Sequence, residues 1–137
     1  MTNDEAYSLV APLYDALTRP SEKDVAGLLT ACLTDDWESL GSAGETSDRA
    51  HFIAKVAGFG RAIPDLAFAP QEVMVAGDRI IVRSEATGTP AGDFMGVGHS
   101  GKSFRIMTID IHQTAAGRLT KAWHVEDWMT AVRQLRA

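Results

Sequence analysis

Apolar and polar positions divide the chain into two halves with different periods. In the N-terminal half, Leu9, Leu13, Ala16 and Leu17 recur at helical spacing, which predicts a first helix with one apolar face. Asn3 or Asp4 can cap its start, and Arg19-Pro20-Ser21 stops it. Val25, Leu28, Leu29, Cys32 and Leu33 mark a second helix that Ser21 can cap. Residues 34–46 keep neither period and read as an irregular segment holding Asp35, Asp36 and Trp37. A third helix starts near Ser47 or Asp48, carries Phe52, Ile53, Val56 and Phe59, and ends between Gly60 and Pro64.

From Leu66 onward the period shortens to that of strands. Residues 68–75 and 79–89 flank a turn at Gly77-Asp78, and Ile80, Ile81 and Val82 give the second run a β-branched centre. A glycine-rich loop over residues 89–101 leads to a long strand at 104–114, a turn at Ala115-Ala116-Gly117 and a last strand at 119–127. A short amphipathic helix with Val132 and Leu135 closes the chain. Helices followed by a run of antiparallel strands predict an α+β fold, and 137 residues predict a single domain over 1–137.

Alternation along the strands selects the candidate site. On the long strand Ile106, Thr108, Asp110 and His112 share a face, a mixture that suits a pocket wall better than a packed core. On the last strand an unbroken alternation puts Leu119, Lys121, Trp123, Val125 and Asp127 on one face. His124 and Glu126 then point the other way unless a bulge reverses them, and Glu126 reads as a solvated carboxylate.

Composition narrows the function classes. The chain is 45% hydrophobic and 23% charged, as in ordinary globular domains, and its net charge of -5 favours neither a nucleic acid nor an anionic membrane surface. No apolar run resembles a signal peptide or a membrane helix, so a cytoplasmic protein is the expectation. The single cysteine, Cys32, excludes an internal disulfide and reads as a small buried hydrophobe. The four histidines at 51, 99, 112 and 124 lack metal-site spacing, so no metal is expected. Gly101-Lys102-Ser103 opens a strand and not a helix, which argues against a phosphate loop.

The segment Trp123-His124-Val125-Glu126-Asp127-Trp128 concentrates acids beside apolar bulk, the setting that raises a carboxyl pKa. Asp127 is the first candidate acid/base, with capping of the terminal helix as its structural alternative. Asp110 and His112 are its candidate assistants. Tyr14, Trp37, Phe59, Phe94, Trp123 and His124 are candidate substrate-binding residues, and so is Arg83 if it faces inward.

Several motifs follow one another along the chain: Tyr14-Asp15-Ala16-Leu17, Leu33-Thr34-Asp35-Asp36-Trp37, Pro64-Asp65-Leu66 and Gly77-Asp78-Arg79-Ile80-Ile81-Val82-Arg83. The loop adds Gly88-Thr89, Gly92-Asp93-Phe94-Met95-Gly96 and Gly101-Lys102, and the end adds Ile109-Asp110-Ile111 and Trp123-His124-Val125-Glu126-Asp127. Taken in this order, they resemble the polyketide cyclases related to nogalonic acid methyl ester cyclase, within the nuclear-transport-factor-2-like superfamily. The resemblance implies a cone-shaped, curved antiparallel sheet with three N-terminal helices enclosing a pocket. It implies an intramolecular aldol condensation on an apolar carbonyl compound, with no cofactor and with Asp127 at the position of the family acid/base. It also implies a homo-oligomer, a dimer or tetramer packed through the sheet. The family pattern Gly-Thr-His reads Gly88-Thr89-Pro90 here, and a proline neither gives nor takes a proton. The alternatives are epoxide hydrolysis by Asp110, Arg83 and Asp127, or a non-catalytic small-molecule-binding module.

Overall fold

The first helix, α1 (Asn3–Ala16), is capped by Thr2, one residue before the expected position, in a reciprocal capping box. The Thr2 hydroxyl accepts from the Glu5 N–H at 3.0 Å, and the Glu5 carboxylate accepts from the Thr2 N–H at 3.3 Å. The computed structural model describes all 137 residues, Met1 to Ala137. After α1 a 3-10 turn at Pro20–Glu22 leads to α2 (Val25–Cys32), which is capped by Asp24 and not by Ser21. Asp48 caps α3 (Arg49–Ala62) through the His51 N–H at 2.8 Å. Gly60 lets α3 lie directly on the 3-10 turn, because a Cβ there would come within 2.9 Å of both Pro20 Cβ and Ser21 Oγ.

The segment 34–46 is not irregular. It supplies β1 (Leu33–Leu40) and a three-residue β2 (Thr46–Asp48). Four longer elements follow: β3 (Ala67–Ala76), β4 (Arg79–Gly88), β5 (Phe104–Ala115) and β6 (Arg118–Glu126). The six strands form one curved, unclosed sheet in the order β2-β1-β6-β5-β4-β3. All neighbours are antiparallel except β1 and β6, so the sheet is mixed. The chain ends in α4 (Trp128–Arg136). The expected α+β class therefore holds, with the expected closing helix in place and two strands more than expected.

The three N-terminal helices cover the concave face of the sheet. Val10 and Leu13 of α1, Leu29 of α2 and Val56 of α3 meet Ile80 and Val82 of β4 in one buried cluster. Cys32 is buried in this cluster as a free thiol, as its apolar neighbours predicted.

A one-residue irregularity in β6 decides which of its side chains face this interior. Thr114 pairs with Leu119, but Gln113 pairs with Lys121, leaving Thr120 as an extra residue. Leu119 is fully buried, and after the bulge the inward set becomes Ala122, His124 and Glu126. An alternation counted from Leu119 without the bulge selects the opposite face. Trp123 and Val125 consequently lie on the outer, convex face.

Candidate active site

Between the concave sheet and the helices lies a cleft lined by sixteen residues, ten of them apolar. Its floor is β5 and β6, contributing Asp110, His112, Ala122, His124 and Glu126. Trp37 and Ser39 of β1 form one wall, Phe52, Lys55, Val56 and Phe59 of α3 another, and Trp128 stands at the start of α4. The interior cavity is about 50 Å³, enough for a few water molecules. All the open space between these walls, out through the mouth, comes to about 620 Å³.

Asp110 is the central group. It is 7% exposed, and in the β5–β6 register it stands directly opposite His124. Its Oδ2 accepts a 2.6 Å hydrogen bond from the Tyr14 hydroxyl, delivered by α1 from the other side of the core. The same hydroxyl lies 2.9 Å from His112 Nε2. A phenol has one proton, so if Tyr14 donates to Asp110 it must accept from an Nε2–H of His112. That fixes the His112 tautomer and leaves its buried Nδ1 as a lone pair with no donor. The chain of donation runs from His112 to Tyr14 to Asp110.

Burial sets the titration of all three. Loss of hydration raises the Asp110 carboxyl to about 7; the Tyr14 bond works against that rise and the Glu126 charge adds to it. Burial lowers His112 to about 4, helped by the His124 cation, so its imidazole is neutral at pH 7. Tyr14 is pushed well above the ordinary phenol range, first by burial and then by the Asp110 charge. A carboxyl that ionises near neutrality in an apolar cleft is suited to take and return a proton.

Beside it, His124 and Glu126 form a second unit. The His124 Nδ1 lies 3.0 and 3.1 Å from the two Glu126 oxygens, and each side chain is 22% exposed. The bond to Glu126 raises the His124 pKa, against the opposing effect of burial. Donor atoms of Asp110, His124 and Glu126 lie within 4.8 Å of one another, close enough in principle to hold a cation, a grouping not visible as spacing in the sequence. Tyr14 bonds one oxygen of the Asp110 carboxylate and His124 both oxygens of Glu126.

The structure brings together only part of the set selected from sequence. Asp110, His112, Trp37, Phe59 and His124 line the cleft, and Tyr14 supports it from beneath. Asp127 does not. It is the exposed N-cap of α4, accepting from the Thr130 N–H at 3.2 Å and the Thr130 hydroxyl at 2.6 Å. Those bonds hold its pKa below the ordinary carboxylate value, the reverse of the shift expected of a catalytic acid. Trp123 lies on the convex face under Arg79, whose guanidinium carbon is 4.8 Å from the ring centre. Arg83 is also on that face, 3.3 Å from Glu72 and opposite Ile109, so it cannot bridge Asp110 and Asp127 for hydrolysis. Phe94 is outside the lining; it packs behind Trp128, ring centres 5.7 Å apart, and on Phe104. Pro90 lies in a separate shallow groove of the glycine-rich loop, so its side chain neither occupies nor empties the cleft.

Glu126, Trp128, Phe52 and Lys55 were not selected. Phe52, Lys55, Val56 and Phe59 recur at helical spacing on α3, which could have marked Lys55 as a charge on a pocket-facing stripe. Glu126 faces inward because of the β6 bulge, for which the sequence carries no glycine or other marker, and Trp128 lies beyond β6 at the start of α4.

The chain matches known proteins over nearly its whole length. The model of SnoaL-like polyketide cyclases matches residues 9–135. This chain belongs to that family. Solved structures of the same fold include IdmH of Streptomyces antibioticus, a candidate polyketide cyclase. It is 22% identical, with a TM-score of 0.84 over 96% of this chain and 99% of that one. TsrD of Streptomyces laurentii is 23% identical, with a TM-score of 0.82 over 98% and 97%. AclR of Streptomyces galilaeus, a candidate hydroxylase, is 21% identical, with a TM-score of 0.82 over 98% of each chain. No curated protein matches the chain. At these identities the neighbours establish the fold, and its common use for different reactions leaves the chemistry to the residues in the cleft.

Proposed function

We propose that this SnoaL-like protein is a cofactor-independent acid/base enzyme in which Asp110 takes a proton from a carbon next to a carbonyl group, as the first step of an intramolecular aldol condensation. The observation that carries this reading is the buried Asp110 carboxyl, held at Oδ2 by Tyr14 and facing the cleft. With Oδ2 engaged, Oδ1 is the oxygen available to the substrate. Proton removal at Oδ1 gives an enolate, whose carbon attacks a second carbonyl of the same molecule and forms the new C–C bond. The resulting alkoxide takes back one proton, so protons balance over the cycle. His124, whose pKa is raised by its bond to Glu126, supports the negative oxygen of the enolate and the alkoxide when protonated. Trp37, Phe52, Phe59 and Trp128 hold the apolar body of the substrate. His112 acts through Tyr14 and is a positioning residue.

The direct test is deuterium exchange of the protons next to the ketone of 4-(2-naphthyl)-4-oxobutanoate in D2O, followed by proton NMR. The wild type is expected to speed exchange above the buffer rate, and Asp110→Asn to lower that enhancement by about a hundredfold or more. Undiminished exchange by a folded Asp110→Asn protein removes the assignment, and a wild type that binds the ketone without exchanging it favours a binding module.

The same reading includes a homo-oligomer acting in the cytoplasm. No helix is long and apolar enough to cross a membrane. The convex face carries exposed Met107, Ile109 and Val125 on adjacent strands, an apolar surface suited to a second copy.

A further inference from the structure

Lys55 is the one charged residue on the cleft-facing stripe of α3, between Phe52, Val56 and Phe59. Its side chain is solvent-exposed while lining the cleft, which places it at the mouth. Its ammonium is 5.9 Å from the centre of the Phe59 ring and makes no hydrogen bond or ion pair with any carboxylate. The other charged groups facing the cleft are accounted for. Glu126 is engaged by His124, and Asp110 is engaged by Tyr14 deeper in the floor. The lining therefore combines a self-neutralised His–Glu pair and an inward acid with one uncompensated cation at the entrance.

Below that cation the enclosed space is small, and the room for a ligand lies in the open part of the cleft, whose walls are aromatic. Phe59 and Trp128 stack at 5.9 Å with their planes 15° apart, and Trp37 meets Phe52 at 4.9 Å. An apolar molecule lying along these rings with its ketone at Asp110 would leave its far end beside Lys55.

We propose that Lys55 selects a substrate carrying a carboxylate at the end remote from the reacting carbonyl, so that the protein acts on free acids in preference to their esters. This inference deepens the acid/base reading and rests on it for the position of the ketone. A lysine at an open mouth binds as a point charge in high dielectric, so the preference it provides is modest and weakens with salt.

The test compares 6-acetyl-2-naphthoate, which carries its ketone and its carboxylate at opposite ends of a flat body, with its methyl ester, measuring binding to the full chain by isothermal titration calorimetry at low salt. The wild type is expected to bind the acid about fivefold more tightly than the ester. Lys55→Met is expected to lose that preference by weakening the acid alone, Lys55→Arg to retain it, and added salt to narrow it. Equal binding of acid and ester by the wild type, or a preference that survives in Lys55→Met, overturns the proposal, as does failure of the acid to bind. Proton exchange at the ketone is read separately with the Asp110→Asn protein. Loss of the catalytic reading therefore shows there, while the acid-over-ester difference shows in binding.

Discussion

The Tyr14 hydroxyl reaches Asp110 Oδ2 at 2.6 Å although the two residues are 96 positions apart in the chain. This contact joins the first helix to the middle of the sheet and lowers the Asp110 pKa against the larger effect of burial. Tyr14→Phe removes the stabilising donor, so the carboxyl is expected to ionise above pH 7 instead of near it. The measurement is the pH profile of ketone proton exchange, whose midpoint should move upward with little loss of maximal rate. The variant also leaves the buried Nε2–H of His112 without an acceptor, which costs about 1–3 kcal/mol in stability. An unchanged midpoint would mean that Tyr14 does not control the acid.

Asp110 and His112 should give opposite pH dependences of stability. Asp110 rises from 3.8 to about 7 on folding, so between those values the folded state holds a proton the unfolded state has lost, and this contribution falls as pH rises. His112 drops from 6.5 to about 4, so over that window the unfolded state holds the extra proton, and this contribution grows as pH rises. In the wild type the two oppose each other between about pH 4 and 6.5. Urea unfolding at a series of pH values should show the Asp110→Asn protein gaining stability relative to wild type as pH rises through this window. The His112→Gln protein should lose it. Either slope is limited to about 1.4 kcal/mol per pH unit. A parallel pH response of both variants would show that burial does not set these two titrations.

Asp127 is expected to matter for folding and not for proton transfer. Asp127→Ala removes both bonds to Thr130 at the start of α4, a loss of about 1 kcal/mol. That helix contributes buried Ala131 and Leu135 to the core, so the loss should register as a lower midpoint in thermal unfolding. Ketone proton exchange per folded molecule should stay at the wild-type rate. A large fall in exchange with intact stability would return Asp127 to the active site.

How far the sequence could be read depended on whether the physical cause was local. Helical spacing placed α1, α2 and α3 to within a few residues, because each face repeats within its own segment. Alternation along β5 placed Asp110 and His112 together on the inner face, since that strand is regular through both residues. β1 was missed because its partner β6 lies some eighty residues away and its register slips between Leu33 and Glu38, so Asp35 and Asp36 interrupt the pattern. The inward face expected for Trp123, Val125 and Asp127 failed at the single extra residue Thr120, which inverts every later side chain of β6. Trp123 reads as interior both by unbroken alternation from Leu119 and by its apolar bulk, but the bulge turns it outward, onto a face of the sheet that is itself partly apolar.

That outer face leads to the last expectation. Ile109 and Val125 are directly paired across β5 and β6, both point outward, and they are 44% and 59% exposed. Met107 lies two residues from Ile109 on the same side at 53% exposure. A contiguous apolar surface of this kind costs free energy in water and is covered most simply by the same face of another copy, related by a two-fold axis. Ile109→Lys places a charge at its centre without touching the cleft, since residue 109 points away from Asp110. Size-exclusion chromatography with light scattering should show a wild-type dimer or larger and an Ile109→Lys monomer. A wild type that is monomeric at the highest concentration measured would exclude the sheet face as an interface between copies. A variant that keeps the wild-type mass would place the interface elsewhere.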